Sequence, residues 1–473
     1  MEKQGKEFND IKGFIRRAEG VLEALVLSLV YYYIWQIFYQ HDFSPAYFGR
    51  GKYVLIGVYF ILILAFFSFC EGFKFGHLKL ADIYISQVIA LAVVNFVTYL
   101  QISLIANKVA IVGPVFLIMA IDMVMAFVCC WCFTAYYHSK SVPRNMLLIY
   151  GTENAIDLKF KMDTRKDRYT VTELVRYDEG MDVLKEKMGQ HDSVIINDVP
   201  AEIRNDILKY CYHNEIRTYV VPKISDIIIK GSPEITLFDT PLLLVKGRGL
   251  SREQELIKRL LDLLLCAIAF MPFVVISLIT AIAIKLDDGG PVFYTQERLT
   301  KNGKLFKIYK FRSMKVNSET AENYQGAVED DPRITRVGHI IRRFRIDELA
   351  QYINILKGDM SFVGCRPEHL KDTKERCQEI PDYMERYKAK AGLTGYAQVY
   401  GKYNTSAYDK LRMDLMYVEN YSLILDIKLI LMTIRTLFRK DSTEGVDVAK
   451  KRQEERQELM NMEKECRGSM DKK

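Results

Sequence analysis

The sequence predicts a membrane α plus α/β protein: four N-terminal transmembrane helices, a small α/β domain, and a mainly helical C-terminal domain with a re-entrant membrane helix. Three observations carry this. Four nearly uncharged apolar runs fill the first third of the 473 residues. Short apolar strands alternate with a charged helix in the middle, and a fifth apolar segment, 263–284, precedes a crowd of arginines. A chain of this length divides into two or three domains.

The first four runs, 21–39, 53–70, 83–105 and 109–137, each approach the ~20 residues that cross a bilayer as helix. Lys3, Lys6, Lys12, Arg16 and Arg17 precede the first run, and Lys140 and Arg144 follow the last. The loops between hold Arg50 and Lys52, then Lys74 and Lys79, then Lys108. By the positive-inside rule the N-terminus and everything after Lys140 face the cytoplasm. A cleaved signal peptide at 21–39 is set aside, because no small-residue cleavage site follows and three more runs do. Asp122 lies inside the fourth run, an expensive place for a carboxylate. It faces a neighbouring helix or serves a function, and the sequence does not choose.

Residues 146–150 read as a strand ending at Gly151, and 193–196 as another ending near Asp198. A charged helix at 201–214 and a strand at 217–221 follow. Such alternation builds a parallel sheet, so 141–248 is expected to be a Rossmann-like domain. The turn Gly151-Thr152-Glu153-Asn154-Ala155 supplies one glycine where a pyrophosphate-cradling turn wants three. Packing or oligomerisation is the expected use, rather than nucleotide binding.

Length alone would make 263–284 a spanning helix. Pro272 sits near its middle and removes a backbone hydrogen bond. Lys258 and Arg259 flank one end, while Lys285, Arg298, Lys301, Lys304, Lys307 and Lys310 lie beyond the other. Both ends therefore prefer the cytoplasm. A re-entrant helix broken at Pro272 satisfies both facts. Further on, 423–438 carries Asp426, Lys428 and Arg435 among apolar residues, as an interfacial or packed amphipathic helix does. The tail, 441–473, is densely charged and expected to be solvated.

The net charge of +7 suits anionic lipid and phosphates. It would also suit nucleic acid, but no binding module is visible. The nine cysteines show no paired zinc spacing, so reduced thiols are the expectation.

The chemistry concentrates at 331–368. Arg333, Arg336, Arg342, Arg343 and Arg345 precede the adjacent carboxylates Asp347 and Glu348, and Arg366 follows. Ile346, Leu349, Tyr352, Ile353 and Leu356 fall on helical spacing, so the pair occupies a first helical turn. Acidic residues favour that place for the dipole alone. It is also where a phosphate-facing group belongs. Arginine forks match phosphate oxygens, and a carboxylate among them is expected to stay ionised, ready to attack phosphorus.

These residues sit in a longer pattern: Lys258-Arg259-Leu260-Leu261-Asp262, Gly290-Pro291-Val292-Phe293-Tyr294 with Gln296 and Arg298, and Lys310-Phe311-Arg312-Ser313-Met314. The arginine-rich block follows, then Gly392-Leu393-Thr394-Gly395 with Gln398, Asp414 and Tyr417. Over about 257–433 the chain resembles the bacterial polyprenyl-phosphate sugar-1-phosphate transferases, in their large monotopic form. Cys365, Ala391 and Met271 stand where that family usually has proline, proline and serine.

The resemblance implies a phosphoglycosyl transferase catalytic domain over 249–440. Its reaction would move a sugar-1-phosphate from a nucleotide sugar, with uridine as base, to undecaprenyl phosphate, releasing UMP and initiating surface polysaccharide synthesis. Asp347 is the implied nucleophile, forming an aspartyl-phosphosugar ester. Glu348 would hold a Mg2+ ion or assist proton handling, and Lys310, Arg312, Arg342 and Arg366 would hold phosphates. The bilayer is the third partner, a homodimer stays open, and the expected location is the bacterial inner (cytoplasmic) membrane, multi-pass, with the site facing the cytoplasm. Two other readings compete. A non-catalytic scaffold or regulator of polysaccharide export is opposed by the intact Asp347, Glu348, Arg342 and Arg366. A sugar-nucleotide-modifying oxidoreductase is opposed by the missing glycine-rich turn.

Overall fold

The computed structural model describes residues 2–42, 50–152, 154–315, 331–402 and 405–437. The predicted charged tail at 441–473 and Glu153 lie outside them. The chain forms two compact units, Met1–Val221 and Pro222–Lys473.

In the first unit, four helices are long and apolar enough to cross a membrane: Lys12–Phe38, Gly51–Phe69, Leu80–Ile105 and Gly113–Lys140. Large apolar side chains such as Leu29, Ile61, Phe96 and Phe116 point outward, as lipid-facing positions require. A polar group pairs across the helices inside. Tyr59 Oη lies 2.8 Å from Asp122 Oδ2 and 3.0 Å from Asn95 Oδ1. Asp122 therefore faces its neighbours on the second and third helices, and packing accounts for its place in the run.

The sheet of this unit has strands β1 (Arg144–Tyr150), β2 (Tyr169–Arg176), β3 (Ser193–Asn197) and β4 (Arg217–Val220). All pair in parallel, in the order β2-β1-β3-β4. Successive side chains of β1 alternate between two faces. Leu147 and Ile149 pack with Leu184, Met188, Ile207 and Cys211. Met146 and Leu148 pack with Ala155, Val171 and Ile195. Burial on both faces explains why β1 and β3 read as unbroken apolar runs. Strand β2 was not foreseen, because at the sheet edge its residues alternate with polar ones. In such a sheet a ligand would enter beyond β1 and β3, where the strand order reverses. The backbone fills that place: Gly151 N donates to Asn197 O at 3.0 Å, and a Cβ on Gly151 would stand 2.2 Å from Asp198 O.

The second unit begins upstream of the boundary drawn at 248. Ile227 on the helix Ile224–Lys230 is buried with Tyr383, Leu411 and Leu415, which ties 222–230 to the C-terminal domain. A hairpin Glu234–Leu237/Thr240–Leu243 follows. The helix Arg252–Asp288 then runs without interruption through Pro272. The predicted break is thus a tolerated proline inside one helix rather than two helices. Ser251 and Gln254 form a capping box at its start, and Gly289, at φ 71°, closes its end.

Both ends of this helix pack on the same body. Lys258 pairs with buried Asp426 at 2.6 Å, and Tyr352 Oη donates to Cys266 O at 2.8 Å. At the other end Ile284 lies in a cluster with Phe311, Ile341 and Ala350. A straight helix would carry Ile284 about 27 Å beyond Cys266. Its partners Ala350 and Tyr352 are two residues apart. Between these anchors Ile268, Met271, Leu278 and Ile279 are exposed.

Candidate active site

The site is built on the turn between two short helices. Thr335 caps Arg336–Arg343, accepting from Gly338 N at 2.9 Å. Arg345 then takes the left-handed conformation, φ 54°, and ends that helix. Its carbonyl accepts from Glu348 N at 3.2 Å and starts the 3₁₀ turn Ile346–Gln351. A non-glycine residue at positive φ carries strain, which surrounding packing must hold. Ile346, Leu349 and Ala350 supply it, packing with Ile284, Phe311 and Ile341. Asp347 and Glu348, between them in sequence, are turned the other way.

Arg366 Nη2 donates to Glu348 Oε1 at 2.7 Å. Glu348 is 14% exposed and Arg366 43%, so the arginine keeps one side toward solvent. Lys310, on the strand Leu305–Phe311, faces both carboxylates. Burial raises the pKa of Glu348, but attraction to Arg366 and Lys310 overcomes it and takes the group down to about 2. Asp347 goes the other way, to about 6: burial raises it first, then the charge of Glu348, against Lys310, Arg342 and Arg366. Lys310, Arg342 and Arg366 thus do not hold Asp347 as low as Glu348. Its neighbour takes the cations, and Asp347 carries the repulsion. Burial lowers the Lys310 ammonium, which the two carboxylates partly restore.

Behind Arg366 lies a buried charged cluster. Arg386, 1% exposed, pairs with Asp414 at 2.6 Å and with Glu368 at 3.2 Å. Its Nη1 donates to Tyr383 Oη at 2.6 Å and its Nη2 to Arg366 O at 3.2 Å. The strands Met360–Val363 and Ala391–Thr394 pair beside it, and there the backbones touch. A Cβ on Gly392 would meet Gly364 N at 2.1 Å. These glycines permit that approach and fix the loop from which Arg366 extends.

Two adjacent carboxylates are a sparse donor set. Among the described residues no group of three or more His, Cys, Asp and Glu could hold a metal. That set fits Mg2+, which takes one or two carboxylates and completes its shell with water and phosphate oxygens.

The family profile described as "Bacterial sugar transferase" matches residues 253–440, which contain the whole of this site. UDP-glucose:undecaprenyl-phosphate glucose-1-phosphate transferase of Caulobacter vibrioides is 38% identical over 193 residues, 40% of this chain and 72% of that protein. The chain belongs to the bacterial sugar transferase family. UDP-N-acetylgalactosamine-undecaprenyl-phosphate N-acetylgalactosaminephosphotransferase of Aeromonas hydrophila is 46% identical over 184 residues, 38% of this chain and 43% of that protein. UDP-glucose:undecaprenyl-phosphate glucose-1-phosphate transferase of Escherichia coli K12 is 38% identical over 211 residues, 44% of each chain. The matched part thus spans less than half of these last two relatives.

In this sugar transferase the motif residues divide into those facing the carboxylates and those that build the frame. Asp347, Glu348, Lys310, Arg342 and Arg366 come together. Arg312, expected among the phosphate-holding groups, is committed elsewhere. Its two Nη atoms pair with Asp288 and its Nε donates to Pro291 O at 2.6 Å, closing the end of the long helix. Asp262 holds Ser361 Oγ at 2.9 Å and Phe362 N at 3.0 Å. Tyr417 Oη lies 2.8 Å from Asp426 Oδ1. Sequence reasoning missed Arg386 and left Glu368 without a role. The available signal was an arginine between Tyr383 and Tyr387 in a charged stretch, which reads equally well as a solvated face.

Proposed function

We propose that this chain transfers a sugar-1-phosphate from a UDP-sugar to undecaprenyl phosphate, through a covalent ester on Asp347. The observation that carries the reading is the division of the two carboxylates. Glu348 is pinned and ionised by Arg366, while Asp347 at about 6 is a stronger base, ionised at neutral pH. Basicity with ionisation is what a carboxylate nucleophile needs.

In the first step an Asp347 Oδ bonds to the phosphorus bearing the sugar, and the bridging P–O bond breaks. UMP leaves with that electron pair. In the second, a phosphate oxygen of the polyprenyl phosphate attacks the same phosphorus and the Asp347 carboxylate departs. Each step returns the charge it displaced, so no external proton is needed for balance. Lys310, Arg342 and Arg366, the cations that act on Asp347, would meet the phosphate oxygens and offset their charge. Glu348, with its second oxygen, would hold Mg2+, whose charge would shield the diphosphate.

The membrane arrangement follows the same reading. Four N-terminal crossings with positive charge before the first and after the last would put the N-terminus and the chain after Lys140 on the cytoplasmic side of a bacterial inner membrane. The long helix Arg252–Asp288 would enter and leave on that face, bent near Pro272. The anchoring of Cys266 and Ile284 to neighbouring parts of one body supports this. The relatives named above act on different sugars, so the donor is read from a panel. UMP release from UDP-glucose, UDP-galactose, UDP-N-acetylglucosamine and UDP-N-acetylgalactosamine, with undecaprenyl phosphate in detergent, is the test. Release with at least one donor supports the proposal, and none with any donor from folded protein refutes it.

A further inference from the structure

The first unit holds a second concentration of cations that the transfer reaction leaves unused. Lys12 and Arg16 come from the first helix, Lys74 from the turn after the second, and Arg144 from the start of β1. Arg165 and Arg168 come from the segment leading into β2. Two arginines converge on one acceptor: Nη1 of Arg165 and Nη1 of Arg168 donate to His77 O at 3.1 and 3.4 Å. Lys12 Nζ donates to Ser141 Oγ at 2.8 Å, tying the first helix to the end of the fourth.

The neighbouring carboxylates are engaged. Asp167 takes two bonds of 2.9 Å from Arg165, Glu71 pairs with Lys74 at 3.0 Å, and Asp82 faces Arg165. Arg144 N donates to Arg168 O at 3.0 Å, and both arginines, with Arg16, stand close enough to repel Lys12, which Asp167 attracts. Partial burial, then Arg168, Arg16, Lys12 and Lys74, push the His77 imidazole well below its usual range. Against Asp167, Glu71 and Asp82 the cations Lys12, Arg16, Lys74, Arg144, Arg165 and Arg168 leave an excess of positive charge that a bound anion would offset.

Depth identifies the anion. Lys12, Lys74, His77 and Ser141 lie where the apolar helices Lys12–Phe38, Gly51–Phe69, Leu80–Ile105 and Gly113–Lys140 begin or end. That is the level of phospholipid headgroups. Guanidinium forks match the oxygens of a phosphate. The geometry points to a binding site for the phosphodiester of an anionic phospholipid, formed by Lys12, Arg16, Arg144 and Arg168. It lies in the first unit and stands independently of the transferase proposal.

The test is native mass spectrometry of the full chain released from nanodiscs of phosphatidylcholine and phosphatidylglycerol in equal parts. The wild type should retain phosphatidylglycerol in preference. The variant Arg144→Gln/Arg168→Gln should lose about fivefold in that preference for each arginine removed. Exposed Lys209→Gln should change nothing. If the double variant fails to fold, Arg168→Lys decides, since it keeps the charge and removes the fork; it should still lower the preference. Equal retention of both lipids by the wild type, or an unchanged preference in the arginine variants, overturns the site. So does displacement of phosphatidylglycerol by millimolar inorganic phosphate, which would make the ligand a free anion. A stronger preference for added undecaprenyl phosphate, lost in the same variants, would assign the site to the acceptor lipid and equally overturn it.

Discussion

Arg366 donates to Glu348 at 2.7 Å, and its charge, with that of Lys310, makes two adjacent carboxylates chemically different. Glu348 is taken down to about 2, and its fixed negative charge helps to lift Asp347 to about 6. Adjacent residues on a 3₁₀ turn point about 120° apart, so each meets its own surroundings.

A pH profile follows from the Asp347 value. The nucleophile must be ionised, so kcat/KM should hold above pH 6 and fall about tenfold per pH unit below it. Glu348→Gln removes the charge that raises Asp347 and leaves Lys310 and Arg366 to lower it. Activity should drop severely, with a changed Mg2+ dependence, and the acid limb of the remainder should move to lower pH. An upward shift of that limb would contradict the electrostatic account. A Mg2+ titration matching wild type would remove the metal role from Glu348.

Arg386 is expected to be structural in a measurable way. Replacing it with methionine leaves Asp414 buried without its cation, while Glu368 keeps Arg376 at 3.3 Å, a loss of about 3–5 kcal/mol. Asp414→Asn leaves Arg386 paired with Glu368 and should cost less. Unfolding of the detergent-solubilised protein in denaturant checks the order.

Truncation should respect the boundary in the structure. Removing residues 1–221 is expected to leave transferase activity, since the carboxylates and every cation around them lie in the second unit. Removing 1–250 also takes Ile227 from its cluster with Tyr383, Leu411 and Leu415, at a cost of about 2–5 kcal/mol. The shorter protein should therefore melt earlier while turning over the same donor.

Pro272→Leu should straighten the long helix and push it toward spanning. Single cysteines at the exposed positions Glu253 and Lys304, on a background stripped of native thiols, report the outcome through an impermeant reagent. In intact wild-type cells both positions should be protected, and labelling of position 304 alone would rule out the re-entrant arrangement. In the leucine variant, labelling of position 304 should rise and activity fall.

Much of the architecture was legible because it is local. Runs of apolar residues, the strand–helix alternation and the spacing from Ile346 to Leu356 each report their own backbone. The paired carboxylates were legible because arginines crowd around them in sequence. What could not be read was which cation meets which anion. Lys310 lies near the end of the strand Leu305–Phe311 and Arg312 two residues on, just past it, yet Arg312 closes a helix end and Lys310 faces the carboxylates. Long-range pairs such as Lys258 with Asp426, or Arg386 with Asp414, leave no periodic trace. The raised Asp347 has the same origin. Its value rises first from burial and then from the charge of Glu348, both fixed only in three dimensions.

The central claim is that Asp347 carries the sugar phosphate. Mixing the purified protein with an accepted UDP-sugar, without polyprenyl phosphate, should release one equivalent of UMP and raise the protein mass by one sugar phosphate. Peptide mapping should place that mass on Asp347, Asp347→Asn should show neither burst nor adduct, and undecaprenyl phosphate should discharge it. An adduct on another residue, or wild-type turnover by folded Asp347→Asn, would contradict the account.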